Sequence, residues 1–524
     1  MHHALLIGEI QLYVFHQISD KRTLSALART CQTFTEAALD VLWRDLKSFT
    51  KLIQCMPRDL WTIGPQTSDL SKGLKRHTLK LQRSITASDW AIFQKYSHRV
   101  RSTGVNVPGM ALDSTCILAL CSPSAPTPLL PNLTSLAWRQ DSDVHLLLLA
   151  RLFSPAILTS LHLLVELESA PPFSFENCPS LKYLHVTGDQ HFTSQPDVLE
   201  RLKWSVNRLQ SLETIIWPAL GSETILSLSR LPVLKDATFN LPSDFSTYTA
   251  TLPPRPPLQK LPFSRLRTLT ITDHGLTPVA AFLRYFNVLV HLETLNITST
   301  SCPSLATIQG LITALGSSSL CDTLRNLAVC HRSPRDSCVG GYKIDPLLRF
   351  HRLESLVLDI RCSFISINDA TLGAIPDAWP NISTLFLNKD GPWWPSSAFT
   401  TPSGLIRLLE ACPRLEQLNL SVNLSSVDRD DSNPLSPGGY TLDSHLTGGP
   451  ARLRKLVLGP FMVTHPRGVA RFLASILPGR VDLSMRWGAL GSYEESERTY
   501  ETGWSLTKRA YYDICDAIRN GGET

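Results

Sequence analysis

Between Leu133 and Leu458 one short pattern recurs: an apolar residue, two variable ones, an apolar one, a variable one and a third apolar one. Clear copies are LTSLAW from Leu133, LTSLHL from Leu158, LKYLHV from Leu181, LRTLTI from Leu266, LETLNI from Leu292, LRNLAV from Leu324, LESLVL from Leu353, ISTLFL from Ile382, LEQLNL from Leu415 and LRKLVL from Leu453. Leu212 (LETIIW) and Leu234 (LKDATF) start weaker ones. The last two apolar residues of each hexad are spaced by two, which predicts a short strand that turns both inward and the residue between them outward. Between hexads the apolar period changes to that of a helix. Ser403 to Cys412 carries Leu405, Leu408 and Leu409 on one face, and Thr277 to Leu289 carries Val279, Phe282, Leu283 and Phe286.

One such strand cannot bury its apolar side alone, but copies spaced at about 29 residues can stack, each sharing its leucines with the next. The expected fold is an α/β leucine-rich repeat solenoid, with parallel strands and helical returns, over residues 100–485. A degenerate copy, VRSTGV from Val100, is expected to open it. Two insertions interrupt it. Residues 240–262, with LPPRPPLQKLP, predict extended chain, and 425–450, rich in Asp, Ser, Gly and Pro, predict disorder. Residues 49–99 are expected to form a linker or N-terminal cap, and 486–524 a C-terminal helical cap.

Residues 1–48 follow a different pattern. Ile7, Ile10, Val14 and Ile18 fall at helical spacing, as do Leu24, Leu27, Cys31 and Phe34. Asp20 is the expected N-cap of the second helix, and Thr33 with Glu36 has the form of a capping box for a third that carries Leu39, Leu42, Trp43 and Leu46. About 45 residues are too few for a self-sufficient core, so the surplus apolar surface should meet either the repeats or a partner.

This stretch, LLIGEIQLYVFHQISDKRTLSALARTCQTFTEAALDVLWRDL, resembles the F-box, and with the repeats the chain is similar to F-box/leucine-rich-repeat proteins of the fungal F-box-like family. The stretch DWAIFQKYSHRVRS from Asp89 is similar to the segment that joins the two parts in that family. The resemblance implies a substrate-recognition subunit of a cullin-RING ubiquitin ligase: the F-box docks on a Skp-type adaptor, and on the cullin through it, while the repeats bind a protein substrate. Carried over by position, the adaptor-facing residues are Leu6, Ile7, Ile10, Leu24, Leu27, Cys31 and Phe34. Two positions depart from the family. Gly8 stands where Pro usually precedes the Glu, which removes a pre-set helix start, and Phe34 stands where Trp is common. The alternatives are a helical cap over the first repeat, or a repeat scaffold with no ligase attached.

On the open side of the strands, most of the residues at the third and fifth hexad places, from Ser135 and Ala137 onward, are small and uncharged. Such a face suits a protein or peptide and offers a polyanion little. The candidate substrate anchors are therefore Tyr183, His185 and Phe386, together with Trp393 and Trp394 in the stiff loop GPWWP. Tyr183, His162 and His185 would have to converge on a pocket for a third reading, a small-molecule sensor.

Composition narrows the function further. With 50 basic against 45 acidic residues the net charge is +5, too little over 524 residues to predict nucleic-acid binding. The 12 cysteines are too sparse for a disulfide framework, and Cys178 and Cys412, each in a Cys-Pro pair before a hexad, are expected as buried thiols. Glu9 interrupts the only apolar stretch near the N-terminus, and no run of about 18 apolar residues occurs, so neither an export signal nor a membrane span is expected. The sequons at Asn132, Asn296, Asn381 and Asn423 are read as chance, and the protein as cytoplasmic or nuclear. No nucleophile elbow, phosphate loop or metal motif is present, and Cys330, His331 and Cys338 lack a fourth ligand, so no enzymatic activity, metal or cofactor is expected.

Overall fold

The computed structural model describes residues 7–65, 77–105, 110–140, 144–165, 177–188, 206–218, 220–252, 262–273, 275–286, 289–331, 340–388, 400–428, 452–459, 463–477, 479–485 and 494–519. The chain divides into two compact units, 1–239 and 240–524.

In the first unit the hexads form parallel strands Ser135–Gln140, Ser160–Val165, Tyr183–Gly188, Thr214–Trp217 and Asp236–Asn240, each paired in register with the next. The second unit repeats the arrangement with Thr268–Asp273, Thr294–Ser299, Asn326–His331, Ser355–Asp359, Thr384–Leu387, Gln417–Leu420, Lys455–Leu458 and Asp482–Met485. Both units thus have leucine-rich repeat architecture. The alternation is as the hexad dictates. In Thr294–Ser299, Leu295 and Ile297 are buried while Thr294 and Asn296 are half-exposed. The return helices Leu276–Tyr285 and Pro402–Ala411 cover this side with Val279, Phe282 and Leu283, and with Leu405, Leu408 and Leu409.

The second hexad place binds the strands at their entry edge. Its carbonyl accepts two amides from the next repeat, as Lys182 does from Glu213 and Thr214, and Glu293 from Arg325 and Asn326. At several repeats its side chains pair with opposite charges on the neighbouring strand. Glu213 sits 3.5 Å from Lys182 and 2.5 Å from Lys235, whose ammonium holds its carboxyl below the ordinary value, and Arg325 pairs with Glu354.

Several expectations need correcting. The ladder starts one strand before Val100, because Asp45–Leu46 pairs in parallel with Ser102–Val105. Leu46 therefore belongs to a strand, not to the third helix. Residues 49–99, expected as a linker or N-terminal cap, contain strands Trp61–Pro65 and His77–Leu81, which form a separate small sheet with Met110–Leu112, and helix Ala87–Ser97. Within 240–262 the chain is not extended throughout: Phe245–Thr251 is a helix whose first residue buries its ring 5.8 Å from that of Phe282. Residues 253–261 of that insertion and 429–450 of the other lie outside the described residues. The helix Glu494–Arg519 packs on Pro466–Ile476, and the Tyr511 hydroxyl accepts from the Val481 amide while donating to the Gly479 carbonyl.

Cys178 and Cys412 are buried free thiols, each pushed up to about 11 by burial. All four sequon asparagines make structural hydrogen bonds, Asn132 to the His98 carbonyl and Asn296 to Thr270, while Asn381 accepts from Arg414 and Asn423 from the Ser425 amide. Among the described residues no helix is long and apolar enough to cross a membrane.

Candidate functional site

The N-terminal unit consists of α1 (Gly8–His16), α2 (Lys21–Thr30) and α3 (Gln32–Arg44). Asp20 caps α2, its carboxylate accepting from the Arg22 and Thr23 amides at 3.1 Å. The expected Thr33–Glu36 capping box does not form. Cys31, in extended conformation, is at once the C-cap of α2 and the N-cap of α3, so α3 begins too early for Thr33 to cap it, and Thr35 bonds back to the Ala28 and Cys31 carbonyls instead.

Both α1 and α2 pack on α3 around Phe15, Leu24, Ala37 and Ala38, with Leu12, Ile18, Leu27, Phe34 and Leu42 partly buried against them. The Phe15 and Phe34 rings meet edge to face at 5.5 Å. What α1 shows outward is the reverse of what a surface helix should show. Gln11 is buried, whereas Ile7, Ile10, Tyr13 and Val14 are 48%, 37%, 71% and 41% exposed. Spaced at three and four residues, these form one apolar stripe.

The other end of the unit is committed to the repeats. Arg99, almost wholly buried, reaches the carboxylates of both Glu36 and Asp40 on α3, and the Trp43 ring lies 4.6 Å from that of Tyr96. The Arg101 amide donates to the Arg44 carbonyl, so α3 runs straight into the ladder. Thus α3 is tied to Tyr96, Arg99 and Arg101, while among the described residues Ile7, Ile10, Tyr13 and Val14 of α1 stay exposed.

Of the expected adaptor-facing residues, Ile7 and Ile10 lie on the open stripe, Leu24 lies inside the helical core at 3% exposure, and Leu27, Cys31 and Phe34 are half-buried between. Leu6 lies outside the described residues. Sequence reasoning missed Tyr13 as an open-face residue. The signal was present, because Tyr13 lies three residues past Ile10, but a helix with apolar residues on more than one side does not declare which side faces out.

Gly8 begins α1 after Ile7 in extended conformation (φ −85, ψ 116), and a Cβ there would meet nothing within 4 Å. Both conditions suit Pro at the first helical position. Gly8→Pro should therefore stabilise the three-helix unit by about 0.4–1 kcal/mol, read as a rise in melting temperature, and tighten any complex that uses α1.

On the strand face of the first unit, His162 and His185 occupy neighbouring strands in register, their rings stacked at 4.2 Å and 3°. Thr187 Oγ1 lies 3.4 Å from His162 Nε2. Tyr183, on the same strand as His185, is 48% exposed, and Ile216 is the register partner of His185 on the other side. Burial pulls both imidazoles below their ordinary 6.5, and for His185 the His162 ring adds to it. The neutral forms are favoured in the fold. Their contribution to stability is present above the ordinary value and is lost as pH falls through the lowered one. The drop in melting temperature between about pH 7 and about pH 5 should accordingly be smaller in His162→Gln and His185→Gln than in the native chain.

In the second unit Phe386 is half-buried between Val357 and Asn419. The open face is not uniformly open here, since Asn419 and Val457 are buried. Trp393 and Trp394 lie outside the described residues.

No protein-family model matches the chain, and no curated protein matches it. Among solved structures it is similar to the TLR13–ssRNA13 complex, at 14% identity and TM-score 0.36, with 75% of this chain and 58% of that one covered. It is also similar to the Arabidopsis receptor kinase HAESA in complex with the peptide hormone IDA and the co-receptor SERK1, at 13% identity and TM-score 0.25, covering 77% and 76%. A third is the HAESA leucine-rich repeat ectodomain with an N-terminally extended IDA peptide, at 12% identity and TM-score 0.20, covering 74% of each. The chain thus spans less than two thirds of the TLR13 chain. At these scores the repeat architecture rests on the strand ladder of the chain itself.

Proposed function

We propose that the chain is a substrate receptor of a cullin-RING ubiquitin ligase, in which the three-helix unit docks on a Skp-type adaptor and the repeats hold a protein substrate. One observation carries the reading: α1 turns Ile7, Ile10, Tyr13 and Val14 to solvent while burying Gln11. Isolated exposed apolar residues are ordinary, but a stripe of four on a helix whose other side is already packed marks a surface built for a partner. Leu6 and the half-buried Leu27, Cys31 and Phe34 extend the proposed contact, and Leu24 supports it from inside. The ligase function would then be one of proximity, the receptor raising the local concentration of substrate beside the recruited conjugating enzyme.

Substrate recognition is assigned to the strand faces, with Tyr183, His185 and Phe386 as anchors and Trp393 and Trp394 as a further pair. The small residues on the strand faces of each unit favour hydrogen-bonded contact with protein over phosphate. A repeat scaffold that acts without a ligase makes the same use of these faces but has no need of the α1 stripe. Mixing the full chain with a purified Skp-type adaptor separates the two. The ligase reading expects a stable complex that also retains a cullin, whereas the scaffold reading expects the adaptor to elute alone.

A further inference from the structure

The second unit brings two thiols from different repeats to one point. Cys302 follows strand Thr294–Ser299 and Cys362 follows Ser355–Asp359, with Asn326–His331 lying between those strands in the sheet. Both thiols point at the same oxygen, the Pro303 carbonyl, each at 3.9 Å, and they also interact directly with each other. They differ in access: Cys302 is half-buried, whereas Cys362 is fully buried.

We propose that Cys302 and Cys362 form a modification site, at which a peroxide converts the two thiols into a disulfide that clips the loops of two repeats together. Cys302 is the residue a peroxide can reach. Its thiolate attacks one peroxide oxygen, an S–O bond forms, the O–O bond breaks, and the departing oxygen takes a proton to leave as water. Cys362 is the resolving partner. Burial, with the adjacent Cys302 thiol, pushes it up to about 12, so it stays a thiol until the sulfenic acid stands beside it. Its sulfur then attacks the Cys302 sulfur, the S–S bond forms, the S–O bond breaks, and the leaving hydroxide takes the Cys362 proton as a second water. Together the sulfurs lose the two electrons that the peroxide gains.

The site spans three neighbouring strands, and the middle one ends in Cys330 and His331. Closing the clip restrains the unfolded chain and ties the outer two repeats, so the oxidised protein should melt at a higher temperature than the reduced one.

Peptide mapping of the full chain tests this. The reduced protein, freed of reductant, is treated with hydrogen peroxide, blocked with an alkylating reagent and digested without reduction. The expected product is a cross-linked pair of peptides carrying Cys302 and Cys362, about 2 Da lighter than the two thiol peptides combined, which is the mass of the two hydrogens removed on oxidation. Dithiothreitol should separate it, and Cys302→Ser should abolish it. In Cys362→Ser the Cys302 sulfenic acid should instead persist long enough for dimedone to trap it. Recovery of Cys302 as sulfinic or sulfonic acid, with Cys362 still alkylated after unfolding, would overturn the proposal. So would a bridge from Cys302 to Cys330.

Discussion

Replacing Ile10 and Val14 together by Glu should weaken binding to a Skp-type adaptor by at least about 100-fold, near 2.7 kcal/mol, while leaving the melting temperature almost unchanged. Both side chains lie on the outward stripe of α1, so charge there meets water in the free protein and is unsatisfied only in a complex. Surface changes of this kind cost no more than about 0.5 kcal/mol of folding stability, and Glu is a better helix former than Val or Ile. Leu24→Ala is the instructive contrast. Leu24 lies inside the three-helix core, so its truncation should cost about 2–5 kcal/mol of stability, and adaptor binding would fall because the helices loosen. A binding assay paired with a melting curve on each variant distinguishes the two routes. Loss of binding on Ile10→Glu/Val14→Glu with the melt intact places the contact on the stripe. Unaltered binding removes α1 from the interface.

The largest stability effect in the second unit is expected at Trp379. Its ring is fully buried at the C-cap of helix Asp369–Ala378, and its indole Nε1–H donates to the Leu347 carbonyl of the preceding repeat at 3.1 Å. It thus fills the core and joins two repeats with one side chain. Trp379→Ala should cost about 3–5 kcal/mol, because neighbouring repeats can collapse only partly into the space. Trp379→Phe keeps most of the volume and loses chiefly the hydrogen bond, for about 1–2 kcal/mol. Urea denaturation of the three proteins checks the order. Equal losses for Ala and Phe would mean that the hydrogen bond, not the packing, dominates at this position.

The repeats were legible because one physical requirement governs them. A hexad such as LETLNI cannot bury Leu295 and Ile297 except against a like strand, so the register from Thr268 through Asn326 follows from the pattern alone. Legibility failed where a residue's role depends on its neighbours in space. Asp45–Leu46 is a strand of two residues with no period of its own, and its identity comes from the edge that Ser102–Val105 offers. The helix Phe245–Thr251 was hidden by the prolines that follow it, although Phe245 was available to pack on Phe282. The alternating charges at Lys182, Glu213 and Lys235 were present in the hexads, but only stacking makes them neighbours.

The candidate sites were legible to a lesser degree. Apolar spacing placed Ile7, Ile10, Leu24, Leu27, Cys31 and Phe34 on helices, yet in a bundle this small the same period serves an inner and an outer face. Which is which depends on how α1 and α2 lean on α3. Gln11 is the residue that reveals it: the one polar side chain buried on α1 marks, with Phe15, the inward side of the helix, and so the outward stripe. On the strand faces the alternation gave Tyr183 and His185 correctly as outward-facing, but the stacking of His185 on His162 depends on register.

The central claim is that the leading helices keep an apolar side for another molecule while α3 anchors them to the repeats. Titration of the full chain with a purified Skp-type adaptor in a calorimeter tests it most directly. The account predicts one saturable site of one adaptor per chain, with a negative heat-capacity change from apolar burial. Absence of binding by a chain whose three helices are demonstrably folded would contradict it.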